Sequence, residues 1–177
     1  PRFERVVAAA RERGLLVQLG YMFRYHDGFS RIAEWARSGM LGHVFAIRAH
    51  MSTNIPPESH ARIGVHKGGI LYDLAGHMID QIVWILGRPD KVTSFLRRDV
   101  STVEGFNDNT LAVFEYDSAL AIVDIAAMEP SPIARRFEVY GDKCSAIMEP
   151  FEPAETLRLC LAEAKDGYPA GVSVLRL

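Results

Sequence analysis

Beyond Pro89 the chain changes texture, and that change constrains the fold more than any other feature. Five short segments follow: Val92–Arg98, Thr110–Tyr116, Ala119–Ala127, Arg136–Tyr140 and Cys144–Met148. Each is either apolar or alternates apolar with polar residues. Turn-forming runs separate them, among them Asn107-Asp108-Asn109, Asp117-Ser118 and Gly141-Asp142. Strands this closely spaced leave no room for crossover helices, so they pair antiparallel through tight turns. Thr156–Glu163 is open between a further strand and a short helix.

The first half is richer in helical spacing. Phe3, Val6, Val7 and Ala10 recur at helical intervals, and Gly14 stops that helix. The apolar run Leu15–Leu19 then predicts a buried strand, so that residues 1–20 read as the tail of an α/β unit. Phe29, Ile32, Ala33, Trp35 and Ala36 mark a short amphipathic helix, and Val44–Met51 alternates as a half-buried strand. Residues 52–67, with Pro56-Pro57 and several His, read as a loop. A long helix runs from Gly69 to Leu86, closed by Gly87 with Pro89 just beyond. The fold class is therefore α+β: an open, mainly antiparallel sheet with the helices around 29–37 and 70–86 on one face.

Bulk properties narrow the partners. The 177 residues suffice for one domain with a sizeable core. A net charge of −2 without a Lys/Arg block argues against nucleic acid or an anionic membrane. Apolar stretches such as Ile82–Leu86 are too short to span a bilayer, and the first residues do not form a secretory signal. Cys144 and Cys160 form no redox or zinc spacing. Two unpaired thiols suit a reducing cytoplasm.

The chemistry concentrates on the long helix. Asp73 and His77 are four residues apart and lie one above the other, and Asp80 continues their stripe. Gly76 stands beside them without a side chain, while Ile70, Leu74, Met78, Ile82 and Ile85 form the opposite, core-facing stripe. Three readings stay open. The stripe is a solvated face with an ordinary Asp–His pair; or a metal site of Asp73, His77 and Asp80 completed by His60 or His66; or an acid–base site. In the last, His77 exchanges a proton with a hydroxyl and Asp73 orients it. Gly68-Gly69 either opens backbone N–H groups toward a ligand or makes a tight turn.

The run Gly68-Gly69-Ile70-Leu71-Tyr72-Asp73-Leu74-Ala75-Gly76-His77-Met78-Ile79-Asp80, followed by Trp84, Leu86-Gly87 and Pro89, resembles one signature. It is that of the glucose–fructose oxidoreductase, inositol dehydrogenase and rhizopine-catabolism (Gfo/Idh/MocA) group. Gly20-Tyr21-Met22-Phe23-Arg24-Tyr25-His26 and Gly39-Met40-Leu41-Gly42-His43-Val44 resemble two further stretches of that family in the same order. The resemblance implies a two-domain enzyme: a Rossmann domain for NAD or NADP, of which residues 1–20 would be the end, and an α+β substrate and oligomerisation domain, residues 21–177. It implies His77 as proton acceptor and Asp73 as its partner in a Lys–Asp–His set. Tyr21 and Arg24 would lie near the nicotinamide, Tyr72, Gly76 and His77 near the substrate, and Asp80 would be structural. No metal is implied.

The sequence departs from the family in several places. The Gly-x-Gly-x-x-Gly fingerprint and the Glu-Lys-Pro motif are absent, Pro1 is too near Gly14 to belong to the latter, and no closing helix follows Gly167–Val172. Met22 and Phe23 replace the Asn and Arg of many members, Met resembling inositol-dehydrogenase-like variants. The expectation is a fragment, inactive alone, of an enzyme moving hydride between a sugar, inositol or polyol carbon and nicotinamide. Polar groups of the 52–67 stretch would set specificity; His60, Arg62, His66 and Lys67 are its candidates, each read first as surface decoration and only second as a ligand contact. The alternative is an inactive oligomerisation or small-molecule-binding module, favoured by strand Ala119–Ala127, which is apolar on both faces apart from Asp124.

Overall fold

The computed structural model describes residues 2–130 and 134–177. Pro1, and with it the reading of that residue, lies outside them. The elements in chain order are α1 (Arg2–Glu12), a 3-10 turn (Met22–Tyr25), α2 (Asp27–Arg37), β1 (Val44–Met51), α3 (Pro57–Gly64) and α4 (Ile70–Leu86). Then follow β2 (Lys91–Arg97), β3 (Asn109–Tyr116), β4 (Ala119–Ala126), β5 (Arg135–Gly141), β6 (Cys144–Met148), β7 (Thr156–Leu161) and β8 (Gly171–Arg176).

The eight strands make one sheet in the order β2-β3-β4-β1-β5-β6-β7-β8. Every neighbouring pair is antiparallel except β1 with β4, which run parallel with Ile47 opposite Ala121 and His50 opposite Asp124. The period-two pattern decides which face is covered. Ile47, Ala121, Val123, Ile125, Phe137, Val139, Ala146, Leu157 and Leu159 alternate inward and are fully buried. α2 contributes Phe29, Ile32, Ala33 and Trp35 to the same core, and α4 contributes Ile70, Ala75, Met78 and Ile82. Burying a side chain of that size stabilises by about 1.5–3 kcal/mol. The α+β class and the one-sided helix layer are as the strand pattern implies.

Two local expectations change, one open reading is resolved and one strand is added. Leu15–Leu19 forms no strand, and Leu15, Leu16 and Leu19 are exposed; an apolar run becomes a strand only where a neighbour completes its hydrogen-bond ladder, and none of the described strands pairs with it. Residues 57–64 form α3 rather than loop, because Pro57 occupies the first helical turn, where a missing N–H costs nothing. Thr156–Leu161 resolves as strand β7. Residues 171–176 add strand β8 beside it, so the sheet extends one strand beyond the sequence expectation.

The start of α4 is a close backbone contact. Gly69 takes φ 52° and ψ −122°, and the Ile70 N–H donates to the Asn107 carbonyl at 3.0 Å. The glycine pair therefore docks the helix on the β2–β3 connection instead of opening the Ile70 N–H to a ligand. That connection is itself pinned: the buried Asp108 carboxylate accepts from the backbone N–H groups of Asp99 (2.9 Å), Val100 (3.0 Å) and Ser101.

Candidate active site

α4 brings Tyr72, Asp73, Gly76, His77 and Asp80 to its outer side, while Ile70, Met78 and Ile82 hold the opposite side to the sheet. The 3-10 turn supplies the second wall. Phe23, buried in the core, sets its ring edge-on to His77 with centroids 5.4 Å apart. Tyr21 stands edge-on to the same imidazole at 6.4 Å. A Cβ on Gly76 would meet only the Tyr21 ring, at 3.7 Å, so the bare stripe accommodates an aromatic wall rather than a second backbone.

His77 Nδ1 is buried and has no hydrogen-bond partner. The bond from His77 to Asp73 that the four-residue spacing suggests is not formed; the Asp73 carboxylate is exposed. A buried ring nitrogen without a partner is uncommon, because losing water without replacement costs about 1–3 kcal/mol.

Asp80 is engaged differently. Its carboxylate, with 7 % of the side chain exposed, receives Arg24 Nε at 2.8 Å and Nη2 at 2.7 Å in a two-pronged pair. Gln81 Nε2 adds a bond at 3.3 Å. The Arg24 guanidinium also lies over the Trp84 ring at 5.3 Å, and Arg37 lies over the same ring at 4.8 Å. Arg24, named from the resemblance alone, is thus tied to the helix through Asp80. The spacing gave no sign of this, since the two residues are 56 apart.

The 57–67 residues divide. His60 is a core histidine, 4 % exposed and stacked on Phe106 at 4.4 Å, with its ring nitrogens 3.0 Å from Ser101 Oγ and from the Ile55 carbonyl. That removes it from the specificity surface. With both its nitrogens and the Asp80 oxygens committed, the alternative metal set of Asp73, His77, Asp80 and His60 is not assembled, and no group of three His, Cys, Asp or Glu suited to a metal occurs among the described residues. His66 stacks on the exposed Tyr72 ring at 4.5 Å and 15°. Arg62 and Lys67 are exposed.

Two cavities lie away from His77 and Asp73. One of about 370 Å³ touches Phe23 and Tyr25 on one side and Phe151 on the other. Another, about 270 Å³, lies on the open sheet face around Arg48, His50, Asp124 and Arg136. Neither is lined by His77 or Asp73. Sequence reasoning missed the group in the second cavity. His50 places Nδ1 3.1 Å from Asp124 and Nε2 3.0 Å from Glu129. The hydrogen bond to Asp124 raises the His50 pKa, burial opposes it, and Glu129 adds to the rise.

Comparison with known proteins places the chain in a family. An uncharacterized oxidoreductase of Escherichia coli, YhhX, is 27 % identical over 172 residues, covering 97 % of this chain and 49 % of that protein. A scyllo-inositol 2-dehydrogenase (NADP(+)), IolW, of Bacillus subtilis is 27 % identical over 150 residues, 81 % of this chain and 40 % of the relative. Among solved structures, an inositol dehydrogenase homolog from Azotobacter vinelandii, complexed with NADH and myo-inositol, superposes with a TM-score of 0.80 at 17 % identity; the match covers 98 % of this chain and 45 % of that one. The chain spans about half the length of these curated relatives. Residues 29–147 match the model of the GFO/IDH/MocA C-terminal domain, and the chain belongs to that family of oxidoreductases.

Proposed function

We propose that the protein carrying this chain oxidises a hydroxyl-bearing carbon of a sugar, inositol or related polyol, or reduces the corresponding ketone, with NAD or NADP. The observation that carries the reading is His77, whose imidazole lies between two aromatic walls with Nδ1 buried and unpartnered. The other ring nitrogen, Nε2, is the one left to meet a substrate hydroxyl, taking its proton during oxidation and returning it during reduction. Asp73, exposed one helical turn before His77, is placed to hold a neighbouring substrate hydroxyl or the family's Lys. Tyr72 and Gly76 border the substrate, the first by its exposed ring and the second by leaving room.

The residues of this chain suit the nicotinamide end of a dinucleotide and not its pyrophosphate. Tyr21 stands beside His77, and Arg24 keeps Nη1 clear of Asp80. The N-terminus of α4, by contrast, spends the Ile70 N–H on Asn107 and offers no phosphate cradle. When bound, the nicotinamide accepts or returns the hydride. Residues 1–20 read as the end of the nucleotide-binding unit and 21–177 as the substrate unit; α1 buries no residue, and the exposed Leu15–Leu19 is the surface such a unit would cover. The chain without that unit is expected to be inactive.

The open sheet face suits a second copy of the protein. Phe95, Leu120, Val172 and Val174 are exposed on it, an apolar surface that self-association would bury. No helix among the described residues is long and apolar enough to cross a membrane. Cys144 and Cys160 are free, and their strands place them on opposite faces of the sheet, which suits a reducing cytoplasm.

The test is turnover by the full-length protein, followed through the absorbance of the reduced nicotinamide with NAD and NADP against inositols and sugars. His77→Ala is expected to lower kcat by ~100-fold or more, the scale of a lost acid–base group. Absence of turnover and of nicotinamide binding refutes the oxidoreductase reading in favour of a binding or oligomerisation module.

A further inference from the structure

We propose that the Arg24–Asp80 pair is a positioning device for His77, holding Tyr21 and Phe23 against the imidazole at the orientation the proton transfer needs. The proposal rests on the reading of His77 as the acid–base group. His77 Nδ1 has no hydrogen bond, so no donor or acceptor fixes the ring there. What confines the imidazole is the pair of aromatic edges, Phe23 at 5.4 Å and Tyr21 at 6.4 Å, and both belong to the segment around the 3-10 turn.

The turn has little else to hold its own place. The preceding residues, Leu15–Gly20, are exposed and form no strand. Tyr25 and Met22 are exposed as well. Two anchors remain. Phe23 inserts into the core beside Phe29 and Phe151. Arg24 grips Asp80 through both Nε and Nη2. A two-pronged guanidinium–carboxylate pair fixes direction as well as distance, which a single bond cannot do. Asp80 is three residues beyond His77 on the same helix face, so the grip falls within one turn of the ring it steadies. Arg24 also lies over the Trp84 ring, as does Arg37, and Ser30 Oγ donates to the Arg24 carbonyl at 2.9 Å. A near-buried carboxylate without this partner would also be poorly solvated, so the chain has strong reason to keep the pair closed.

Such a device acts on rate and leaves polyol binding nearly untouched, because on that reading the polyol meets His77 and not Asp80; Arg24 borders the nicotinamide, so rates are compared at saturating nicotinamide. The experiment uses the full-length protein labelled at histidine nitrogen, with Asp80→Asn and Arg24→Lys, both of which remove the two-pronged geometry at small change in volume. Expected are a fall in kcat of ~10–100-fold with KM within about twofold, and a displaced or broadened His77 ring resonance in variants whose melting confirms folding. Arg24→Lys, which keeps the charge, is expected to lose less of the rate than Asp80→Asn. An unchanged kcat together with an unchanged His77 resonance in a folded variant overturns the proposal, as does a loss that falls entirely on KM. Should Asp80→Asn fail to fold, the half-exposed Arg24 makes Arg24→Lys the deciding variant, through its His77 resonance in the nicotinamide-free protein. Should the wild type turn over no polyol at all, the oxidoreductase reading fails on its own account, and the His77 resonance still decides whether the pair positions the ring.

Discussion

Replacing Gly69 by Ala tests how α4, and with it the candidate site, is anchored. Gly69 sits at φ 52° and ψ −122°, a conformation that residues with a Cβ rarely enter. The added methyl would lie 2.5 Å from both the amide nitrogen and the carbonyl oxygen of Asn107. Those are backbone atoms of a segment that cannot recede cheaply. The Asn107 carbonyl receives the Ile70 N–H at 3.0 Å, and the adjoining Asp108 N–H donates to the Arg97 carbonyl at 3.0 Å. Forcing the conformation costs about 1–3 kcal/mol, and overpacking costs about the same again, giving roughly 2–6 kcal/mol together. In a chain of this size each kcal/mol is worth about 2–4 °C, so the melting temperature is expected to fall by roughly 5–20 °C. Gly68 supplies the control. Its φ is 104°, but a Cβ there would meet Tyr72 Cβ at an ordinary 3.5 Å, so Gly68→Ala carries the conformational cost alone, about 1–3 kcal/mol. Urea unfolding followed by circular dichroism measures both. A Gly69→Ala variant no less stable than Gly68→Ala refutes the claim that backbone contact with Asn107 fixes the helix start.

Two further expectations concern stability. Ile82→Ala, at a fully buried α4 position facing the sheet, is expected to cost about 2–5 kcal/mol without a new hydrogen-bonding defect, read as a shift in urea midpoint at constant slope. His50 governs a pH effect. Its folded-state pKa is raised, by the Asp124 hydrogen bond first, against burial, and by Glu129. Its stabilisation is therefore fully present below the unfolded value of about 6.5 and is lost as pH rises through the higher folded value. Unfolding measured on either side of neutrality should show wild type losing stability toward alkaline pH and His50→Gln losing less; equal slopes in the two proteins would sink the assignment.

Legibility in the sequence followed the range of the interactions. Strands such as Thr110–Tyr116 and Cys144–Met148 announce themselves because alternation and turn chemistry are local, and the buried face of α4 does so because its period is local too. Leu15–Leu19 misled because an apolar run reports an appetite for burial and not the presence of a partner strand. Pro56-Pro57 reads as a loop on composition, although Pro57 is well suited to open α3. His60 looked like a surface residue amid polar neighbours; its stacking on Phe106 and its bond to Ser101 come from a segment about forty residues away, which no window reveals. In the candidate site, Asp73, Gly76, His77 and Asp80 were legible as a stripe. Their unequal fates were not, because the turn that seals Asp80 and walls His77 comes from a segment 56 residues earlier in the chain.

The position of β1 has a consequence for how the molecule comes together. On one side of it, β2, β3 and β4 form a meander of successive antiparallel neighbours; on the other, β5 to β8 form a second. Each can zip from residues close in the chain. Between them stands β1, whose His50 lies opposite Asp124, 74 residues away. The two meanders have no pairing with each other, so β1 is the keystone of the arch, and the loop that must close before it seats is the largest entropic obstacle in the sheet. The helix bearing His77 follows β1 and packs across β1, β3 and β4. Order at the candidate site is thereby tied in part to the closing of the arch: until the keystone is seated, the helix presenting His77 has only the β3–β4 side of its platform.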